Sequence, residues 1–533
     1  MPLSWLLLSL VALPGQADTV LVCPPVFRDA IEPWRQHRAG QGHQIALVSG
    51  SLSADQTRNE VRRVANGGKL KFVVLVGDAD VRRPNESSRS PGVPTHYVPA
   101  KVNLRWGSEP EIASDNWYAD LDDDQLPDVA IGRLSADTPE QLAAIVRKVI
   151  AYEVPGEETL DEPKDEWRRQ INLVAGLGGF GAVVDSALEA AARSIIATGI
   201  PAEYTTSLTH ASWRSPYCPP PAGFGETVID RMNEGCLFWV YMGHGQPREL
   251  DRVHVPGQEY SILRCEDVGR VAARRGPPIA LFLACYTAAF DAQGDCLAEE
   301  LLRAEGGPVG VIGGSRVTMP YAMSVLGIEM LKQCFVFRRP TVGEMLLYAK
   351  REMVLGARSD ERSKQIDSIA SLLSPAGSDL AEERLEHVHL FNLLGDPLLG
   401  LAYPRQARVE TSSSVKAGGL LKVSGTSPID GTATIELVVR RDRLKFQPMP
   451  RPEYQASREA GDEYRRTYMA ANDSRLVSVH SPVVGGQFET QIKVPADARG
   501  HCHVRVFVQG RGTFATGAAD VRVAQQAVHA PGK

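Results

Sequence analysis

Two apolar segments of this chain each run as a strand straight into a chemically reactive residue. The first, residues 236–242, leads to His244 and Gly245, and the second, residues 278–284, leads to Cys285. Short apolar runs set between helical stretches are typical of buried parallel strands. The ligand sites of a parallel α/β sheet lie outside the carboxyl ends of its strands. If the two strands are neighbours, the imidazole and the thiol face one crevice.

A histidine beside a cysteine favours acyl-transfer chemistry, most simply peptide hydrolysis. A neighbouring imidazolium favours the thiolate, which is the nucleophilic form, and the same histidine can protonate a departing amine. Gly245 leaves the backbone beside His244 open to a substrate, because glycine has no side chain. The alternatives are a hydrogen-bonded histidine at a strand end and a buried structural thiol. Cys285 is followed by small and polar residues, which favours the catalytic interpretation.

From residue 18 onward, short apolar runs alternate with helical stretches, which predicts a doubly wound, mostly parallel α/β sheet. An acidic connector separates an N-terminal subdomain, 18–160, from a second subdomain, 166–402, which carries both reactive strands. Residues 404–525 alternate apolar and polar side chains between Gly, Pro and Asp turns, a pattern typical of an immunoglobulin-like β-sandwich. We expect this β-domain to lie outside the catalytic centre, with the polar insert 448–472 forming a long loop.

Several stretches of the chain, in the right order, resemble motifs of the gingipain-like cysteine peptidases, family C25. The pairs His-Gly at His244 and Ala-Cys at Cys285 match the order found in the clan that also contains caspases and legumains. Residues 29–48 are similar to the opening helix and second strand of the family, 115–133 to its mid-domain signature, and 391–399 to its closing motif. The resemblance spans both α/β subdomains and implies a caspase-like fold.

The resemblance also implies a cysteine endopeptidase that acts on protein or peptide substrates and needs no cofactor for catalysis. Cys285 would be the nucleophile, His244 the general acid and base, and the N–H groups of Gly245 and Cys285 the oxyanion hole. The family has an acidic residue before the histidine as a third member, and Asp185 is the candidate. Asp185 fits equally well as the N-cap of the helix that follows it.

Three points stay open at the level of the sequence. Asp291, after the nucleophile, would orient its loop or line the first specificity pocket, unless it is a solvated turn residue. A catalytically inactive surface or binding protein on the same scaffold is an alternative function, and a transpeptidase is another. The presence of both His244 and Cys285 favours an enzyme over an inactive scaffold, but it does not distinguish hydrolysis from transpeptidation.

A crowded acidic turn precedes the apolar residues 129–131. Oxygen-bearing residues stand at positions 1, 3, 5, 7 and 9 of this turn: Asp120, Asp122, Asp124, Leu126 through its carbonyl, and Asp128. This spacing wraps oxygen ligands around calcium in tight loops. Gln125 stands where such a loop has glycine, and an acidic turn without a metal is the alternative. We expect a structural Ca²⁺ here, because crowded anions repel one another unless a cation offsets them.

The bulk properties exclude other classes of function. The net charge is −6 and the pI is near 6.1 with scattered basic residues, so we expect no nucleic-acid partner. The eight cysteines show no CxxC spacing, which excludes a zinc ribbon and a thioredoxin motif. Residues 1–17 combine a short apolar run with Ala17 as a small residue before Asp18, which predicts a cleaved export signal and a secreted or cell-envelope protein. A short buried strand is the alternative. We see no transmembrane span, and the sequence leaves the oligomeric state open.

Overall fold

The computed structural model describes residues 16–79, 92–154, 166–176, 198–356, 361–373, 379–510 and 513–524. The chain divides into two compact units. The first unit comprises residues 1–153, 245–248 and 282–401, and the second comprises residues 154–244, 249–281 and 402–533. Asp185 and residues 1–15 of the predicted export signal lie outside the described residues.

The helices and strands follow one another along the whole described chain. The strands are β1 (Thr19–Cys23), β2 (Ile45–Ser49), β3 (Phe72–Val76), β4 (His96–Pro99), β5 (Glu111–Ser114), β6 (Ala130–Leu134), β7 (Gln170–Ala175), β8 (Thr205–His210), β9 (Phe238–Met242), β10 (Arg252–Val255), β11 (Gln258–Ser261), β12 (Ile279–Leu283), β13 (Gly310–Gly314), β14 (Phe391–Gly395), β15 (Arg405–Gln406), β16 (Arg408–Thr411), β17 (Ser414–Lys416), β18 (Leu420–Thr426), β19 (Gly431–Val439), β20 (Arg475–Val483), β21 (Gln487–Lys493), β22 (Gly500–Gln509) and β23 (Phe514–Ala524). The α-helices of the described residues are α1 (Arg28–Gly40), α2 (Ala54–Ala65), α3 (Pro139–Glu153), α4 (Phe224–Asn233), α5 (Leu297–Arg303), α6 (Pro320–Phe335), α7 (Val342–Leu355), α8 (Glu361–Leu373), α9 (Leu380–Leu390) and α10 (Arg458–Asn472). Within the described ranges, none of these helices is long and apolar enough to cross a membrane.

The first unit is built on a mostly parallel sheet. Its strand order is β2-β1-β3-β6-β14-β13-β12, and β12 contributes its last two residues to this unit. Strands β1, β2, β3 and β6 run parallel to their neighbours, whereas β13 and β14 pair antiparallel. Every residue of β1 and β3 is buried, which is the pattern of strands covered on both faces. The predicted doubly wound, mostly parallel α/β fold is confirmed.

The second unit contains four neighbouring strands of a sheet. The strand order is β12-β9-β7-β8, with the first three residues of β12 belonging to this unit. Strand β7 is parallel to both β8 and β9. The two apolar runs that precede the reactive residues are therefore adjacent strands, β9 and β12, as the sequence predicts.

The same unit continues into two further sheets that share one apolar core. A six-stranded sheet has the order β15-β23-β22-β19-β20, with β17 also paired to β23. A three-stranded antiparallel sheet has the order β16-β18-β21. Leu421 and Phe488 of the smaller sheet belong to one buried cluster with Ile435 and Val504 of the larger sheet. The alternation of apolar and polar residues after residue 404 therefore marks strands with one buried face.

The prediction of a long loop for the polar insert is wrong for its second half, because Arg458–Asn472 form helix α10. The side chain of Ser457 caps this helix by accepting a hydrogen bond from the Ala460 N–H. Tyr464 and Tyr468 are four residues apart, so both lie on one helical face, and both are buried. The Tyr468 hydroxyl lies 2.9 Å from the Thr209 hydroxyl on β8, so this face packs on the α/β layer of the second unit.

Candidate active site

Cys285 lies two residues beyond β12 and has the least buried thiol of the chain. The structure describes all eight cysteines, and within it none forms a disulfide. Seven of them are buried, whereas Cys285 is partly exposed. Burial raises the pKa of the Cys23 and Cys218 thiols to about 12, so these two resist ionisation at neutral pH. Accessibility therefore distinguishes Cys285 from every other thiol.

The backbone turns sharply directly after Cys285. Tyr286 adopts a left-handed conformation with φ of 56°, which is unusual for a bulky residue. Its N–H donates to the Arg316 carbonyl at 3.1 Å, and the Ala288 N–H donates to the Gly314 carbonyl at 3.0 Å. Strained backbone of this kind persists only where surrounding hydrogen bonds hold it. The turn presents Cys285 at the end of its strand instead of burying it.

Two glycines at the end of β13 make room for this turn. A Cβ atom on Gly314 would lie 2.6 Å from Thr318 Cγ2 and 3.0 Å from the Ala284 carbonyl oxygen. A Cβ atom on Gly313 would lie 3.0 Å from Thr287 Oγ1. Both separations are shorter than ordinary contacts, so side chains here would push the loops of Cys285 and Thr318 away from the strand.

Gly245 packs directly against the backbone of Cys285. A Cβ atom on Gly245 would lie 2.5 Å from the Cys285 carbonyl oxygen, so only glycine permits this approach. His244 is the preceding residue, and its own carbonyl accepts hydrogen bonds from the Tyr241 hydroxyl at 2.7 Å and the Asp251 N–H at 3.2 Å. The structure thus brings the predicted residues Gly245 and Cys285 together. Asp185, the predicted third member, lies outside the described residues.

Three polar groups of Thr318, its N–H, hydroxyl and carbonyl, lie close to the Cys285 sulfur. The Thr318 N–H donates to Cys285 Sγ at 3.3 Å, and the Thr318 hydroxyl lies 3.5 Å from the same sulfur. The thiol hydrogen can reach the Thr318 carbonyl, 3.7 Å away. A donated N–H stabilises a thiolate more than a thiol, because the thiolate carries the negative charge. The sulfur is therefore positioned and polarised by a residue 33 positions further along the chain.

The acidic turn brings three of its predicted ligands into one cluster. Carboxylate oxygens of Asp120, Asp122 and Asp124 all lie within 4.8 Å of one another. Burial raises the pKa of Asp120 despite its nearby arginine and backbone N–H donors. Gln125 has φ of 72°, the left-handed conformation for which a calcium loop normally uses glycine. Three hard oxygen donors in a tight turn fit a calcium ion.

The other two predicted ligands are placed differently. Asp128 is not part of the three-carboxylate cluster: its oxygens accept from the Leu121 N–H at 2.8 Å and from Arg351 at 3.1 Å. Leu126 has a buried side chain, and its N–H donates to Asp124 Oδ1 at 2.8 Å. Asp128 therefore closes the turn, and the cluster of Asp120, Asp122 and Asp124 is the candidate metal site.

Comparison with known proteins places this geometry in a family. Residues 12–402 match the model of peptidase family C25. The chain belongs to this family. Gingipain R2 of Porphyromonas gingivalis is 21% identical over 333 residues, which cover 60% of this chain and 40% of that protein. Lys-gingipain of the same organism is 22% identical over 309 residues, which cover 56% of this chain and 15% of that protein. The chain thus matches less than half the length of these relatives.

Solved structures agree with the family C25 assignment at the level of the fold. The crystal structure of the Arg-specific cysteine proteinase gingipain R superposes with a TM-score of 0.54 and 18% identity, covering 96% of this chain and 99% of that one. A second solved protease gives a TM-score of 0.52 at 15% identity, covering 96% of this chain. The predicted caspase-like architecture of family C25 is confirmed.

The family C25 motifs outside the two reactive strands have structural roles in this chain. Arg133, from the mid-domain signature, is fully buried and pairs with Asp115 of the same signature at 2.7 Å. Asp396, from the closing motif, accepts hydrogen bonds from Trp34 and Arg38 of the opening helix α1. Buried charges of this kind are tolerated only when they are paired. These pairs therefore hold distant segments of the first unit to one another.

Asp291, which follows the nucleophile in the sequence, pairs with Arg316. Asp291 forms a bidentate pair with Arg316, with N–O distances of 2.8 and 2.6 Å, and Arg316 also bonds to the Glu111 carbonyl. Of the three interpretations of Asp291, loop orientation is the one this pairing supports. Thr318 was not found from the sequence, because a backbone N–H that reaches across from another strand end leaves no local pattern.

Proposed function

We propose that the chain is a cysteine endopeptidase with Cys285 as nucleophile and His244 as general acid and base. One observation carries the proposal: the only partly exposed thiol of the chain receives the Thr318 N–H and lies against Gly245, the residue that follows His244. A nucleophilic cysteine has to be accessible, which Cys285 is, and the Thr318 N–H is placed to donate to its sulfur. Membership of peptidase family C25 supports the same assignment.

The reaction then follows two acyl-transfer steps. The Cys285 thiolate adds to the carbonyl carbon of the scissile peptide, which forms a C–S bond and moves an electron pair onto oxygen. The His244 imidazolium protonates the amide nitrogen as the C–N bond breaks, so the amine leaves and a thioester remains. Neutral His244 then takes a proton from water, the hydroxide adds to the thioester carbon, and the C–S bond breaks.

We assign the oxyanion hole to the N–H groups of Gly245 and Cys285. The close approach of Gly245 to the backbone of Cys285 supports this assignment. Each donor aimed at the developing oxyanion contributes about 10²-fold to 10³-fold in rate. A side chain at residue 245 would separate the two backbones, so Gly245 is required by the same geometry. The substrates are polypeptides whose backbone can enter beside Gly245.

The test is hydrolysis of a denatured protein by the full-length chain and by matched variants. Cys285→Ala and His244→Ala should each lower turnover by about 10³-fold or more, because the nucleophile and its base act as a unit. Cys265→Ala is the control, since Cys265 is buried and should not affect turnover. Equal hydrolysis by the wild-type chain and Cys285→Ala would contradict the proposal. Inactivity of the folded wild-type chain towards every protein tested would favour the inactive scaffold.

Two further features belong to the same proposal. We propose that a structural Ca²⁺ is bound by Asp120, Asp122 and Asp124, whose hard oxygen donors suit this ion. We also propose that residues 1–17 direct export, so that the mature chain begins at Asp18.

A further inference from the structure

The loop between β13 and α6 presents two consecutive N–H groups in different directions. The Thr318 N–H donates to Cys285 Sγ at 3.3 Å. The next N–H, that of Met319, donates to Nε2 of His387 at 2.8 Å. Thr318 is buried, with 4% of its surface exposed, so water does not readily replace these bonds. The orientation of the peptide unit that joins the two residues is therefore set at both ends.

His387 is built to accept this hydrogen bond in one protonation state. It lies on α9 and is fully buried. Its Nδ1 lies 2.7 Å from the Glu383 carbonyl, which can only accept, so Nδ1 carries the hydrogen. Nε2 is then the unprotonated nitrogen that receives the Met319 N–H. Burial lowers the pKa of His387 to about 4, which keeps the ring neutral at pH 7.

A second contact fixes the same loop to the same helix. Glu383 accepts the Ala322 N–H through Oε1 at 3.1 Å, so the first turn of α6 is also held by α9. Pro320 follows Met319 at the start of α6 and has no N–H of its own. The Met319 N–H is therefore the last donor before the helix begins, and His387 is its acceptor. Without that acceptor, the Met319 N–H would lose its partner, and the peptide could rotate towards another.

We propose that His387 is a positioning residue for the Cys285 thiol, acting through the backbone of Met319 and Thr318. The inference rests on the proposed role of Cys285 as nucleophile. His387 does not touch the sulfur; it holds the peptide whose neighbouring N–H stabilises the thiolate. Loss of its Nε2 acceptor releases the Thr318 N–H from Sγ, so the sulfur loses a hydrogen-bond donor and reacts more slowly at neutral pH.

The test compares variants that differ in whether they can accept the Met319 N–H. His387→Leu removes the acceptor at similar volume. His387→Gln places an amide oxygen near the position of Nε2, whereas His387→Asn is too short to reach Met319. His389→Leu is the matched control, because His389 is buried on the same helix and neither of its ring nitrogens has a hydrogen-bond partner among the described residues. Circular dichroism and melting curves establish that each full-length variant is folded.

The readout is the rate at which iodoacetamide alkylates Cys285, followed by peptide mapping from about pH 5 to pH 9. His387→Leu should slow alkylation at pH 7 about tenfold, because one charge-assisted hydrogen bond to the reacting sulfur is lost. His387→Gln should restore the wild-type profile, and His389→Leu should leave it unchanged. If the leucine variant does not fold, the contrast between glutamine and asparagine carries the same comparison.

Two results would overturn the inference. One is a wild-type alkylation profile in His387→Leu, or in His387→Asn where the leucine variant does not fold. The other is equal slowing in His387→Leu and His389→Leu, which would mean that α9 is merely loosened. Alkylation needs no peptide turnover, so the inference is tested even if the wild-type chain hydrolyses nothing. A chain that hydrolyses no protein but shows the predicted contrast would refute the proposed function and support the positioning role.

Discussion

At His389, both ring nitrogens are buried and lack a hydrogen-bond partner within the described chain. Burial, together with the nearby Lys350, His96 and Lys101, lowers the pKa of His389 to about 4. The folded state therefore holds a neutral ring where the unfolded state is protonated below its ordinary pKa of 6.5. The unfolded state therefore binds a proton before the folded state does as the pH falls. The contribution of His389 to the free energy of unfolding is fully present above pH 6.5 and is lost as the pH falls towards 4.

We predict that His389→Leu removes this pH dependence. The linkage predicts that the wild-type histidine costs about 2 kcal/mol of stability between pH 7 and pH 5. The variant should be at least as stable as the wild-type chain at pH 7, because it also removes unpaired polar atoms, and it should lose less stability at pH 5. Urea denaturation at the two pH values measures both effects. An identical loss in the two proteins would show that His389 already has a partner for its proton.

The residues of the candidate site fall into two groups, those that a local sequence pattern predicts and those that it does not. His244, Gly245 and Cys285 were predicted because they follow two apolar runs, and the structure forms those runs into the neighbouring strands β9 and β12. Thr318 and His387 were not, because each acts across the fold through backbone hydrogen bonds. Thr318 acts through its own backbone N–H, and His387 acts as the acceptor of a backbone N–H. Several residue types can take either role, so no local motif reveals them.

At the scale of single elements, the acidic turn has a geometry that its sequence only partly discloses. Asp123 and Gln125 both have positive φ angles, of 68° and 72°, although neither is glycine. Arg58 pairs with Asp120 at 3.3 Å and with Asp123 at 3.0 Å, which offsets part of the negative charge. Asp122 and Asp124 are exposed, and the structure gives neither an ion pair within its described residues. These two carboxylates are the groups that a cation would affect most.

We predict that calcium raises the melting temperature of the wild-type chain and that a chelator reverses the effect. A ligand that binds only the folded state stabilises it by about 2.7 kcal/mol at a hundred times its dissociation constant. Asp122→Ala combined with Asp124→Ala should abolish the response. Asp462→Ala combined with Glu463→Ala removes two exposed carboxylates of α10 and serves as control. A calcium response that survives in the first double variant would place the ion elsewhere.

Helix α10 illustrates where sequence patterns are insufficient at this scale. The apolar runs of β9 and β12 were predicted within two residues, because a fully buried strand is a continuous apolar segment. Helix α10 has a polar surface and is anchored through Tyr464 and Tyr468, so its burial depends on two aromatic residues. Tyrosine is common in strands as well as in helices, and two residues define no period by themselves.

At the scale of the whole molecule, one buried carboxylate joins the α/β part of the second unit to its β-sheets. Glu436 on β19 is 2% exposed and pairs with Arg505 at 2.6 Å, Arg169 at 3.3 Å and Arg475 at 3.4 Å. Burial alone would raise the pKa of Glu436, but Arg505 and Arg169 hold it below its usual value. Arg169 immediately precedes β7, so this cluster spans the second unit.

We predict that Glu436→Gln destabilises the chain by about 3–5 kcal/mol, because it removes the counter-charge of the buried Arg505. Glu489→Gln is the control. Glu489 pairs with Lys422 at 2.8 Å, but both side chains are mostly exposed, so its loss should cost about 0–1 kcal/mol. Denaturation midpoints of the two variants measure the contrast. Equal midpoints would mean that water reaches the Glu436 cluster.

The predicted division of the chain into domains stays a prediction. The change from helix-strand to strand-turn patterning near residue 404 marks a real change of sheet type. The strands after it nevertheless form one compact unit with residues 154–244 and 249–281. Composition reflects local structure, whereas Arg169–Glu436 and Thr209–Tyr468 are contacts between distant segments. That residues 404–525 are dispensable for the chemistry of Cys285 stays a prediction.

The unequal burial of the eight cysteines has a practical consequence. A chain with seven buried thiols and one accessible thiol carries a natural attachment point for a single probe. A maleimide fluorophore or spin label added to the native protein should couple at Cys285 alone, with no need to replace other cysteines. The label would then report binding close to Cys285, and unfolding would appear as a rise in the number of labels per chain.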